Sequence, residues 1–85
     1  MTWEQIRTTY PDRWVLMEAL DARTEGDRRV FCELSVLDTV DNNTNVFPRY
    51  NEYRKRFPNR EIIFYHASNA QMDVQVRVVP GFRNI

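Results

Sequence analysis

Two prolines set 47 residues apart constrain this chain more than any other feature. Tyr10-Pro11-Asp12-Arg13 and Phe57-Pro58-Asn59-Arg60 occupy equivalent places in two similar stretches, residues 3–22 and 50–69. Each stretch reads as an amphipathic helix, an aromatic-Pro-Asp/Asn-Arg turn, and an apolar strand. Proline disfavours the helical state of the residue before it, so each helix must end at the aromatic. Only Arg7/Arg54, Pro11/Pro58 and Arg13/Arg60 are identical, but Val15/Ile62, Leu16/Ile63 and Met17/Phe64 match in class. Helix–turn–strand units share such punctuation with or without duplication, and both origins imply two αββ units.

The remaining elements follow from caps and periodicity. Thr2 with Gln5 three residues later forms a capping-box pattern at the start of the first helix. Strands are predicted over residues 14–22 and 30–37, joined by a polar loop containing Gly26. Asp38 to Asn45 reads as a loop, with Thr44 or Asn45 capping a second helix that tolerates Pro48 in its first turn. Phe47, Tyr50, Tyr53 and Phe57 recur there at helical spacing. Further strands are predicted over residues 61–67 and 73–79, the second with the clearest period-two alternation in the chain.

The resulting order is α-β-β-α-β-β. This is a single α+β domain over residues 1–85, built from units at about 2–38 and 45–79 and ending in a short tail. Moving the last strand to the front gives the ferredoxin-like order. The expected architecture is therefore a four-stranded, mainly antiparallel sheet in the order 3-4-2-1, with hairpins 1–2 and 3–4 and both helices on one face. Two separate αββ units packed together are the alternative.

Such a sheet leaves its other face open. Leu16, Leu20, Phe31, Leu37, Ile63, Tyr65 and Val79 are assigned to it, interrupted by Glu18, Glu33, Gln75 and Arg77. That face is too apolar for solvent, and a contiguous apolar patch on a small protein usually marks an interface. The leading expectation is a non-enzymatic interaction or regulatory module, acting as a homodimer or as the partner of another small protein. The C-terminal tail, with Phe82 and Ile85, is the other candidate cover.

Charge supplies the second reading. Formal net charge is zero, yet residues 1–44 carry nine acids and five bases while residues 45–85 carry three acids and seven bases. Arg49, Arg54, Lys55, Arg56 and Arg60 lie among the aromatics of the second helix, a mixture that can hold phosphates and stack bases. Against nucleic-acid binding, the domain as a whole lacks a positive excess. Cations near a helix C-terminus also complement its dipole.

A small enzyme is the third reading and the weakest. Cys32 and His66 can in principle pair as nucleophile and base, but both sit on strands where a buried structural role is commoner. Glu18 and Glu33 can meet across the first hairpin, with Arg77 the simpler partner for either. Asp38 and Asp41 lie in a loop that local turn bonding explains. No catalytic signature, metal set, cofactor motif or glycine-rich phosphate loop is legible. One cysteine excludes an internal disulfide. No apolar run approaches the ~18 residues of a membrane span, and the N-terminus lacks signal-peptide character, so a cytoplasmic protein is expected.

Trp3-Glu4-x-Ile6, Tyr10-Pro11-x-x-Trp14-Val15-Leu16-x-Glu18-Ala19, Thr24-Glu25-Gly26, Phe57-Pro58-Asn59-Arg60-Glu61 and Phe64-Tyr65-His66 together cover most of the chain. In these motifs it resembles a group of small bacterial proteins of unknown function. In that group the gene often sits beside one for a small retropepsin-like aspartic protease. The resemblance implies a partner or regulator role within a two-gene module. It carries over no functional residue. The nearest approach to the Asp-Thr-Gly of such a protease is Asp38-Thr39-Val40, so the chain is not itself one.

Overall fold

The computed structural model describes residues 1–72 and the backbone of Val74 and Gln75. The protein is α+β: α1 (Trp3–Thr9), β1 (Trp14–Glu25), β2 (Arg28–Val40), α2 (Phe47–Arg56), β3 (Ile62–His66) and the two-residue β4 (Val74–Gln75). No helix among the described residues is long and apolar enough to cross a membrane.

The local punctuation acts as the sequence indicates. Thr2 accepts the Gln5 backbone N–H, and the Gln5 side chain accepts the Thr2 N–H, closing the capping box. Tyr10 and Phe57 end the two helices in nearly the same conformation, φ/ψ −124°/68° and −127°/68°. At α2 the cap differs from expectation. Val46 occupies the N-cap, and Asn45 reaches forward to accept the Phe47 N–H at 3.1 Å.

The first hairpin is longer and tighter than its composition suggests. Glu25 pairs with Arg28, so the polar segment 23–28 is mostly strand and only Gly26 and Asp27 turn. Gly26 has φ +64°, suiting the first central position of a two-residue hairpin turn. Three register shifts interrupt the β1–β2 ladder and leave Leu20, Cys32 and Leu37 without opposite partners. Each such bulge breaks strict alternation and adds twist.

Three antiparallel strands form the body of the sheet, in the order β3-β1-β2, and β4 pairs with the far edge of β2 at Arg28 and Arg29. The order 3-4-2-1 is thereby corrected: β3 lies beside β1, not beside the fourth strand. The cause is the apolar run Val15-Leu16-Met17, buried completely on both faces. A strand of that composition belongs at the centre of a sheet. Most of the segment 73–79, predicted as the fourth strand, lies outside the described residues.

The second correction concerns the helices, which pack on opposite faces. α1 sets Trp3 and Ile6 against Val15, Met17, Leu34 and Ala67. α2 covers Leu16, Val40 and Val46, with Trp14, Tyr50, Tyr53 and Phe64 around them. Register decides this. Leu16 pairs with Phe64 and Met17 with Ile63, and residues directly opposite each other point to the same side. In each unit the helix packs over the strand position that the other unit matches, Met17 for α1 and Phe64 for α2. The observed register places these two positions on opposite faces, whereas a slip of one residue would bring both helices to one side.

Candidate functional site

The residues assigned to an open sheet face do not share one. Leu16 is fully buried under α2. Ile63 and Tyr65 turn toward α1, and the bulge at Cys32 swings Phe31 to that side as well. Leu20, at its own bulge, is 57% exposed, Leu37 is half-buried, and Val79 lies outside the described residues.

The proposed chemical pairs are also apart. His66 lies opposite Trp14, whereas Cys32 bulges between the Asp21–Glu33 and Ala22–Phe31 pairs. Eight residues of β1 separate those positions, on the order of 25 Å at the usual strand rise. Cys32 Sγ lies 3.5 Å from an Arg23 nitrogen. His66 Nε2 approaches Asn42 Oδ1 at 2.6 Å, and its Nδ1 meets the Ser68 hydroxyl and backbone N–H. Because the Asn42 amide nitrogen donates to the Asp12 carbonyl, its oxygen faces His66, which fixes Nε2 as the protonated nitrogen. The ring thus ties the loop before α2 to the end of β3, and Asn42 carries the link on to the turn after α1.

Glu18 and Glu33 also part company. Glu18 lies opposite Ser35 and accepts from Arg60, and Glu33 lies opposite Asp21 and holds the N-terminal ammonium. Asp38 receives Arg49. Asp41 accepts the Thr44 hydroxyl and the Asn43 N–H, which together hold its carboxyl below the usual aspartate range. Among the described residues no group of three or more His, Cys, Asp or Glu side chains is placed to hold a metal ion.

One arrangement that sequence reasoning missed is a two-pronged ion pair. Arg29 Nε and Nη2 reach the Glu61 carboxylate at 3.1 and 2.6 Å, linking the hairpin to the approach to β3. Nothing in the spacing of residues 29 and 61 signals it.

What the fold does assemble is the outer surface of α2. Its aromatics turn inward, with Tyr50 and Phe47 set edge-on to Phe64 at centroid distances of 4.8 and 5.3 Å, and Tyr53 stacks on Phe57. Yet no α2 residue is fully buried, and Phe47 is 56% exposed. The cations lie over these rings: Arg54 over Tyr50 at 5.6 Å, Arg56 over Tyr53 at 6.0 Å, Arg60 over Phe57 at 5.0 Å. Of the five basic residues singled out in the sequence, Arg49 and Arg60 are paired with Asp38 and Glu18. Arg54, Lys55 and Arg56 have no carboxylate partner among the described residues.

Concavities open on the described surface. One, of about 410 Å³, lies between α1 and the hairpin, where Trp3, Phe31 and Met72 meet Glu4, Glu25 and Arg29, so its charges are of both signs. Another, of about 370 Å³, is lined by Asn51, Arg54, Lys55, Phe57, Pro58 and Arg60 at the end of α2, and no carboxylate belongs to its lining. The chain matches no known family model, and comparison with curated proteins and with solved structures gives no match.

Proposed function

We propose that the protein is a non-enzymatic interaction module whose α2 surface receives an acidic segment of a partner protein. The observation that carries this reading is the exposed helix on which Arg54, Lys55 and Arg56 stand unpaired beside half-buried Tyr50 and Tyr53 and exposed Phe47. Tyrosine, phenylalanine and arginine are the residue types enriched at protein interfaces, and tyrosine and arginine lead among their hot spots. Arginines already stacked on rings lose less freedom when a partner arrives than free ones do.

The surface replaces the open sheet face as the basis for partner binding, because α2 and α1 now occupy the two faces. A nucleic acid is the second reading, supported by the same cations. The neutral chain disfavours it, since two of the five candidate bases are already neutralised and only three remain for a polyanion.

Titration of the full chain with a glutamate-rich peptide and, separately, with a single-stranded DNA oligonucleotide tests the proposal. The expected result is peptide binding that weakens as salt rises and is lost on joint Arg54→Glu and Arg56→Glu substitution. Absence of peptide binding at low salt, or tighter binding of the oligonucleotide, overturns it.

A further inference from the structure

We infer that the cleft at the C-terminal end of α2 is a phosphate-binding site; the inference rests on the reading of α2 as the docking surface and assigns its most specific contact. Asn51, Arg54 and Lys55 stand at i, i+3 and i+4, so they share one side of the helix. Pro58 turns the chain immediately afterwards, and Arg60, beyond that turn, completes the lining of the cleft. Three cations and an amide, from the helix and from beyond its turn, thus line one concavity.

Arg60 is held in place before any ligand arrives. Its guanidinium lies 5.0 Å from the centroid of Phe57, and one nitrogen is 3.3 Å from Glu18, itself only 16% exposed. Arg54 is similarly laid against Tyr50. Lys55 adds a point charge with no carboxylate partner among the described residues.

The charge count favours a dianion over a carboxylate. The end of a helix contributes about half a negative charge, which opposes any anion there. Two unpaired cations and a third shared with Glu18 outweigh it. A phosphate group brings about −1.5 to −2 charges and three acceptor oxygens, enough to engage several of these donors at once. A carboxylate offers one charge and two oxygens, and gains correspondingly less. Complementing the helix dipole alone would require neither Asn51, one turn earlier, nor Arg60, beyond the turn.

Nuclear magnetic resonance titration of the full chain with inorganic phosphate and with O-phosphoserine, at constant ionic strength, tests the site. Saturable shifts confined to residues 51–60 are expected. Arg54→Gln with Lys55→Gln should weaken binding by about tenfold or more, the loss of at least one charge-assisted hydrogen bond. Both side chains are exposed, so an unchanged thermal midpoint is expected to accompany that loss. Preference for O-phosphoserine identifies a monoester ligand, and equal binding identifies the free anion. Shifts that do not saturate, that chloride reproduces, or that persist unaltered in the double variant overturn the inference. Phe47→Ala lies outside the cleft and serves as the control. If it abolishes acidic-peptide binding while phosphate still titrates, the cleft stands apart from the wider surface; if the peptide binds and phosphate does not, only the cleft falls.

Discussion

The two helix–turn–strand corners are spelled alike and used differently. α1 and α2 end on aromatics of matching backbone geometry, each followed by proline, and each helix packs over the equivalent position of the strand it leads into. Yet α1 buries Trp3 and Ile6, whereas α2 buries none of its residues. The turns diverge as well: Asp12 is left-handed at φ 54°, a conformation that Asn59 does not share. α1 is a piece of core, and α2 is a lid that leaves much of its own surface exposed. Similar local code therefore fixes how a helix meets its own strand, while strand pairing decides which side of the molecule receives it.

That contrast has measurable consequences. The largest is at Ile6, which is fully buried. Ile6→Ala should cost about 2–5 kcal/mol in chemical denaturation. The difference between the corners disappears if a truncation on α2, such as Tyr50→Ala, costs as much. Next is the capping box, which α2 lacks. Thr2→Ala removes one of its two reciprocal bonds and should cost about 1 kcal/mol, read as a lowered denaturation midpoint. Asn45→Ala, at the less regular start of α2, should cost less.

Phe47→Ala should change stability by under about 1 kcal/mol, because the ring is more than half exposed and loses chiefly its edge contact with Phe64. The same change should weaken acidic-peptide binding severalfold, the range expected of a peripheral aromatic at an interface. The smallest effect lies in the loop before α2. The Thr44 hydroxyl and the Asn43 N–H lower the Asp41 carboxyl. Its contribution to stability is therefore complete above the ordinary aspartate pKa and disappears as pH falls through the lowered folded value. Carbon NMR titration should place the Asp41 midpoint below that of an unstructured aspartate, and Thr44→Ala should raise it.

Local chemistry was legible in the sequence where a single unit sufficed to determine it. The Thr2–Gln5 box, the stops at Pro11 and Pro58, Pro48 in the first turn, and the local bonding of Asp41 all depend on neighbours within a few residues. What the sequence left open was how the units meet. Period-two alternation labels the two faces of a strand but not which face joins which. The assignment of Leu16 to one face with Ile63 and Tyr65 fails for this reason: the register joins Leu16 to Phe64, and Ile63 and Tyr65 to Met17 and Val15. Bulges at Leu20, Cys32 and Leu37 then moved Phe31 and Leu37 out of phase, and no residue in the run announces them. The basic character of α2 was visible from the start. Its division into paired Arg49 and Arg60 and unpaired Arg54, Lys55 and Arg56 depends on Asp38 and Glu18, which lie on other elements.

The sandwiching of the sheet also distributes the protein's two tryptophans, one to each layer. Trp3 meets Tyr65 edge-on at 5.5 Å in the α1 layer, and Trp14 meets Phe64 and His66 in the α2 layer, the imidazole at 5.0 Å. The molecule therefore carries its own pair of optical probes. Emission from the Trp14→Phe variant reports on the α1 layer alone, and emission from the Trp3→Phe variant on the α2 layer. If α2 loosens before the core does, the two signals will part during unfolding, and the imidazole beside Trp14 gives that layer a quencher the other does not have.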